Sequence, residues 1–238
     1  MNHAIVIAAG SGRRMGQDIP KQFINVIDRP VIVYTLAGFQ KHPEIDEILV
    51  VCLEGWETAL SAYAKQFGIT KLSRIVPGGA TGQESIRNGV FALEGTAAPD
   101  DLVVVHDGIR PLVQDEVLTD VLRVARVHGN AVTAMPYNEQ IFIADDGEST
   151  LRYIPRDTVR RVSTPQAYRF DLLHRSYRKA FETGVGITGP AYANTMMADL
   201  GVRLYFAAGS DRNIKLTTQA DLELFKAYLA SDPSLATL

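Results

Sequence analysis

The sequence predicts a doubly wound, mostly parallel α/β sheet with a β-hairpin arm projecting from it. Three observations carry that reading. Short apolar runs, such as residues 4–8, 47–52 and 102–105, alternate with amphipathic segments of helical period. The run Leu102-Val103-Val104-Val105 is apolar at every position, as a strand covered on both faces must be. Past the middle the rhythm breaks: residues 140–144 and 149–154 flank Asp145-Asp146-Gly147, a hairpin signal with no helix beside it.

In order, residues 4–8 form the first strand and empty into Ala8-Ala9-Gly10-Ser11-Gly12. Pro30 suits a helix N1 position, so residues 30–40 read as helix despite their β-branched side chains. Residues 47–52 form a strand, and residues 56–67 a helix that Gly68 ends. A short strand at 74–76 runs into Pro77-Gly78-Gly79, and a helix at 83–93 is capped within residues 81–85. The strand at 102–105 delivers His106-Asp107-Gly108-Ile109-Arg110-Pro111 to the carboxyl edge of the sheet, where ligands of such folds bind. A helix at 118–128 and a strand at 131–134 precede the hairpin. Helices at 171–183 and 191–200, a strand at 202–207 and a helix at 219–230, capped by Thr217 or Thr218, complete the chain. Residues 1–238 thus read as one domain, with the arm at about residues 137–157. A lone hairpin is marginal in water, so the expected remedy is a second copy across a dimer axis.

Composition narrows the class. The chain has 238 residues, 46% of them hydrophobic, which supplies a sizeable core. A net charge of −3 argues against a nucleic-acid or membrane surface, so any cation for a phosphate must be local. The single cysteine, Cys52, excludes an internal disulfide and a cysteine-based zinc site, and reads as core. No apolar run reaches membrane length and no signal peptide opens the chain, so a cytoplasmic protein is expected.

The chemistry gathers in a few motifs. Small residues at 8–12 let backbone N–H groups cradle anionic oxygens, and Arg13, Arg14 and Lys21 stand beside them. This is a grip for a triphosphate. It is not a Walker A loop, which needs Gly-Lys-Ser/Thr, nor a dinucleotide fingerprint, which needs a glycine where Met15 stands. Asp107, just past a buried strand, suits a Mg²⁺ ligand, and equally a helix cap or a partner for Arg110. Lys215 follows the last strand and reaches the same edge or stays solvated. His42, His128 and His174 read as solvent-side, His106 as pointing away from Asp107, and Met196, Met197, Tyr168 and Phe170 as core.

Taken jointly, Ala8-Ala9-Gly10-Ser11-Gly12-Arg13-Arg14-Met15 with Pro20-Lys21-Gln22, Gly78-Gly79 with Ser85, Val105 to Pro111, Thr164-Pro165-Gln166 and Asn213-Ile214-Lys215-Leu216-Thr217 resemble the family of 2-C-methyl-D-erythritol 4-phosphate and ribitol-5-phosphate cytidylyltransferases. The resemblance runs nearly end to end. It implies a Rossmann-like nucleotidyltransferase fold and a reaction of CTP with a polyol phosphate to give a CDP-polyol and pyrophosphate. It also implies Arg14, Lys21 and Lys215 as catalytic cations, and Asp107 as the Mg²⁺ and nucleotide ligand. Ala8, Ala9, Gly10, Gly12, Gly79 and Ser85 would hold the nucleotide, and Arg110, Gln140, Arg156, Thr164 and Thr188 the acceptor, with Arg156 reaching across a homodimer.

Three positions depart from the family pattern: Gly82 where an arginine is usual, Glu139-Gln140 where Asp-Thr is usual, and Gly189-Pro190 where acidic residues follow Thr188. The last two point to an altered acceptor pocket. His106-Asp107-Gly108 and residues 164–168 favour methylerythritol phosphate, and with it isoprenoid biosynthesis, over ribitol phosphate. A CTP-binding protein without catalysis is the competing class, and a nicotinamide-dependent dehydrogenase fails at Met15.

Overall fold

The computed structural model describes residues 1–10, 19–189, 192–232 and 235. Seven strands form one sheet in the order β11-β7-β10-β6-β1-β4-β5. The parallel members are β1 (Asn2–Ala8), β4 (Glu47–Cys52), β5 (Leu72–Pro77), β6 (Leu102–Asp107), β7 (Asn130–Pro136) and the short β11 (Phe206–Ala208). One strand runs against them: β10 (Arg160–Arg169) lies between β6 and β7, antiparallel to both. The two-residue strands β2 (Asn25–Val26) and β3 (Arg29–Pro30) pair with each other beside the sheet.

Strand alternation makes the fold doubly wound. On β1, Ala4, Val6 and Ala8 face one core with Ile32, Leu36 and Phe39 of α1 (Val31–Lys41), Leu60 of α2 (Glu57–Gln66) and Leu118, Val121 and Leu122 of α4 (Asp115–His128). Ile5 faces the other, with Ile86 and Val90 of α3 (Gly82–Phe91), Leu173 and Tyr177 of α5 (Phe170–Thr183), and Met196 and Met197 of α6 (Ala193–Asp199). A third cluster packs Phe225 and Leu229 of α7 (Gln219–Ser231) under Tyr34, which explains why α1 is apolar on nearly every face. Cys52, Met196, Met197 and Tyr168 are buried as expected.

Several boundaries shift for physical reasons. Pro30 caps α1 from outside with extended backbone, so the helix begins at Val31. Trp56 likewise precedes α2 and stacks on Phe23 at 4.5 Å between ring centroids. Thr81 closes a capping box with Glu84, starting α3 at Gly82. Asp115 and Glu116 open α4 three residues before the apolar periodicity starts, and Gly129, with φ 82°, ends it. The strand expected at 202–207 shrinks to three residues, because the Asn130 amide bonds Arg203 O and Tyr205 N where ladder bonds would begin. The sequence reading assigned no strand to residues 160–169. Pro165 argues against one, yet it sits in a register shift between Ser163 and Gln166, where a missing N–H is tolerated.

The arm exists but is slighter than the pattern suggested. β8 (Ile141–Ile143) and β9 (Arg152–Ile154) form a separate two-stranded antiparallel sheet. Asp146 organises its turn by accepting the N–H groups of Glu148 and Ser149, which holds its carboxyl low, at about 2. Phe142 and Tyr153 are 56% and 67% exposed and Leu151 is fully so. His42 is a correction: it is buried, with Nε2 3.0 Å from Thr119 Oγ1. His3 is buried too, between Glu47 and Asp101.

Candidate active site at the carboxyl edge

Strands β1, β5 and β6 all end at this edge, and the turn after each is shaped by close approach of the backbone. After β1, the buried Gln22 amide donates to Ala8 O (2.8 Å) and Gly10 O (3.0 Å), fixing the turn just before residues 11–18. Lys21 precedes Gln22 in a short helical turn, Lys21–Phe23, and is half-buried. After β5, a Cβ on Gly78 would come within 2.5 Å of the Ala9 methyl, and one on Gly79 within 2.3 Å of Glu84 Cβ. Both glycines are therefore required by packing. Ser85 Oγ accepts Gly79 N–H (3.0 Å) and donates to Thr81 O (2.9 Å). Ala8, Ala9, Gly10, Gly79 and Ser85 thus lie close together after β1 and β5, with Ala8 and Ser85 buried. Gly12 and Arg14 lie outside the described residues.

After β6 the site becomes charged. Asp107 Oδ2 meets Lys215 Nζ at 3.0 Å and Arg110 Nε at 3.1 Å. Burial pushes the Asp107 carboxyl up in pKa, but Lys215 and Arg110 together hold it below the usual range. It is therefore ionised at neutral pH. Arg110 also donates to Asn213 O (2.8 Å), and the Asn213 amide donates to Thr164 O (2.5 Å). That chain of bonds ties the segment carrying Lys215 to β10. Thr164 Oγ1 in turn accepts the Asp107 N–H at 3.1 Å. His106, expected to face away, does so: it is fully buried against Phe39, with Nε2 3.1 Å from Arg110 O. Burial drives its pKa down to about 4, so it stands neutral behind the site.

Asp107, Arg110 and Thr164 line one cavity with Gln166, Tyr192 and Asn194. Lys215 lines the adjoining one with Arg110 and Asn213, and its ammonium lies 5.3 Å from the centre of the Tyr192 ring. The remaining acceptor residues do not converge there within one chain. Gln140 and Arg156 line a groove of the arm with Phe142 and Tyr153, because the hairpin folds as its own small sheet. Thr188 is exposed and borders neither cavity. Its loop is held from behind, where the buried Gln83 amide donates to Gly186 O and Tyr192 O. Sequence reading missed Gln83, Tyr192 and Asn194; no motif marks them, and only the fold sets them beside residues 107–110.

Among the described residues no three His, Cys, Asp or Glu side chains gather into a metal site. Asp107 Oδ2 carries both cations, and Oδ1 has no partner among the described residues. A single such carboxylate suits an ion that takes most of its ligands from phosphate and water, which is Mg²⁺ chemistry. No helix among the described residues is long and apolar enough to cross a membrane.

Comparison with known proteins agrees with this fold. A family model described as IspD, 2-C-methyl-D-erythritol 4-phosphate cytidylyltransferase, matches residues 2–231. A ribitol-5-phosphate cytidylyltransferase of Lacticaseibacillus paracasei is 54% identical over 226 residues, covering 95% of this chain and 97% of that one. A 2-C-methyl-D-erythritol 4-phosphate cytidylyltransferase of Clostridium novyi is 34% identical over 235 residues, covering 96% of each. The crystal structure of 4-diphosphocytidyl-2C-methyl-D-erythritol synthase from Anaerococcus prevotii superposes with a TM-score of 0.82 at 28% identity, covering 96% of this chain and 98% of that one.

Proposed function

Since the chain belongs to the 2-C-methyl-D-erythritol 4-phosphate cytidylyltransferase family, and is a cytidylyltransferase acting on CTP and a polyol phosphate, we propose that its acceptor is ribitol 5-phosphate. The observation that carries this is the 54% identity, over nearly the whole of both chains, to a ribitol-5-phosphate cytidylyltransferase. The methylerythritol relative stands at 34%. This reverses the order of acceptors drawn from the sequence. The residues that favoured methylerythritol phosphate, His106-Asp107-Gly108 and 164–168, also hold β6 to β10 and the cations to Asp107, so they do not by themselves rank the acceptors.

The reaction asks for electrostatics rather than proton transfer. The acceptor phosphate, with a second pKa of roughly 6, is already largely ionised at neutral pH. One of its oxygens attacks the α-phosphorus of CTP, the bond to the β-phosphate bridge oxygen breaks, and pyrophosphate leaves with that electron pair. Two anions approach while charge builds on the leaving group, so fixed cations and oriented N–H groups supply the stabilisation. Lys215 meets the α-phosphate, and Arg14 and Lys21 the β- and γ-phosphates. The surface of Ala8–Gly10, Gly79 and Ser85 takes the nucleotide. Asp107, with the triphosphate, would hold Mg²⁺, which when bound neutralises phosphate charge. The match to relatives named cytidylyltransferases supports catalysis over bare CTP binding.

Arg156 and Gln140 reach an acceptor only if the arm of a second copy covers this edge. The uncovered Phe142, Leu151 and Tyr153 favour that homodimer. The test is pyrophosphate release from CTP with each acceptor. Ribitol 5-phosphate is expected to exceed 2-C-methyl-D-erythritol 4-phosphate by at least about 100-fold in kcat/KM, on the scale by which hydroxyl-reading sites discriminate; the reverse preference rejects the proposal.

A further inference from the structure

Among the described residues, two unlike groups meet the Lys215 ammonium. Asp107 Oδ2 lies 3.0 Å from Nζ, and the centre of the Tyr192 ring lies 5.3 Å from it. Asp107 and Tyr192 line one cavity, and Lys215 comes to it from the adjoining one. A lysine stem has many rotamers, so an ion pair alone lets the ammonium swing about the carboxylate. The ring limits that swing, because its face is negative and attracts the cation. It does so without cancelling charge. A second carboxylate there would neutralise the ammonium, whereas a neutral ring holds it and leaves it positive. An ammonium has three N–H donors, so those that Asp107 does not take stay open to a phosphate oxygen.

The ring is placed by its backbone rather than by burial. Tyr192 precedes α6, and its carbonyl accepts the Gln83 amide at 3.1 Å and Thr195 Oγ1 at 3.0 Å. Gln83 is itself buried, and its oxygen accepts Tyr177 O–H at 3.0 Å. The Tyr192 side chain stays 42% exposed, while α6 enters the core through Ala193, Met196 and Met197. The bonds that pin residue 192 belong to its main chain, so a changed ring leaves them in place. The core does not need this aromatic group; the cation beside it does.

We infer that Tyr192 is a positioning residue for the transfer reaction, its ring face holding the Lys215 ammonium where the α-phosphate arrives. This rests on the role proposed above for Lys215. An ammonium already in place loses little further freedom when the transition state forms, so the gain falls on kcat more than on capture of CTP. The effect belongs to the nucleotide and not to the polyol, so it is the same for either acceptor.

The test is pyrophosphate release with CTP, Mg²⁺ and whichever of ribitol 5-phosphate and 2-C-methyl-D-erythritol 4-phosphate the wild type uses faster. Tyr192→Leu is expected to lower kcat by about 3- to 30-fold, the range of one cation–π contact, with the KM for CTP within about threefold. Tyr192→Phe, which keeps the ring, should stay within about twofold of wild type. Phenylalanines bearing progressively more fluorine at position 192 keep the shape of the ring while draining its face of negative charge. Their kcat should fall stepwise toward that of Tyr192→Leu, whereas a packing role would leave them alike. In a Lys215→Ala background, Tyr192→Leu should lower kcat by less than about twofold more, since the cation it serves is gone. Fluorinated rings as active as phenylalanine, Tyr192→Phe as poor as Tyr192→Leu, or a full loss on Tyr192→Leu without Lys215 each overturn the inference alone. Lys215→Ala at the wild-type rate overturns the role of Lys215, and this inference with it.

Discussion

The nucleotide side of the site and the arm are built on opposite principles. Around Gly78 and Gly79 the chain packs so closely on Ala9 and Glu84 that a single methyl group would collide, and the buried Gln22 and Ser85 side chains are tied to main-chain groups. The arm has two three-residue strands, a turn held by one aspartate, and large apolar side chains in the open. The described part of the first region is held in place by contacts within one chain. The second is stable only as far as something covers it. The contrast suits the roles proposed above, a donor site built within one chain and an arm to be covered by a second copy.

Mutations can break or sharpen that contrast. The largest effect belongs to the cations: Lys215→Ala and Lys21→Ala should each lower kcat by roughly 10²- to 10³-fold, as loss of a group stabilising developing charge does. Circular dichroism should remain native, and wild-type pyrophosphate release from both would reject the assigned roles. Next, Gly78→Val drives a side chain against Ala9, at a cost of about 1–3 kcal/mol in urea unfolding and a weakened KM for CTP. An equally bulky change on the arm, such as Leu151→Phe, should leave unfolding unmoved.

Acid probes the site from behind. The folded His106 has its pKa at about 4, against about 6.5 when unfolded, so its contribution is whole above pH 6.5 and fades as pH falls toward 4. Up to about 3 kcal/mol is at stake across that window. Asp107, whose folded pKa is lowered, adds a further loss only at more acidic pH, below the ordinary aspartate value. Urea midpoints at pH 7 and pH 4.5 should differ for wild type and converge for His106→Phe; an unchanged pH dependence in that variant contradicts the assignment. The smallest effect on a single chain is at the arm. Phe142→Ser with Tyr153→Ser should change monomer stability by less than about 0.5 kcal/mol, as exposed positions do. Sedimentation should nonetheless show the dimer lost, and acceptor turnover should fall with it.

Much of this was legible in the sequence because it is local. Alternation of apolar runs and amphipathic segments carried the layering, and Asp-Asp-Gly carried the arm. The unbroken valines before His106 pointed to the edge where Asp107, Thr164 and Lys215 meet. What escaped depends on distance. Nothing near Pro165 says that a strand will insert between β6 and β7, since its partners lie tens of residues away. His42 looks like a helix-end residue until α4 supplies Thr119. Asn194 is silent in sequence because only the fold sets it beside Asp107 in one cavity. The order of acceptors is not legible locally either: the proposal of ribitol 5-phosphate follows the 54% identical relative, not the motifs.

The reversed strand has a mechanical consequence. Because β10 runs against β6 and β7, the chain leaves β7 and re-enters β10 at the same end of the sheet, and the arm hangs from that end. A parallel strand there would have needed a crossover and would have set the connection at the far end. The arm is instead a lever whose fulcrum is the rim of the cavity, where β10 carries Thr164 up to Asp107. In the proposed homodimer a partner seated on the arm would load that rim, so association between chains and entry of the acceptor would share one hinge.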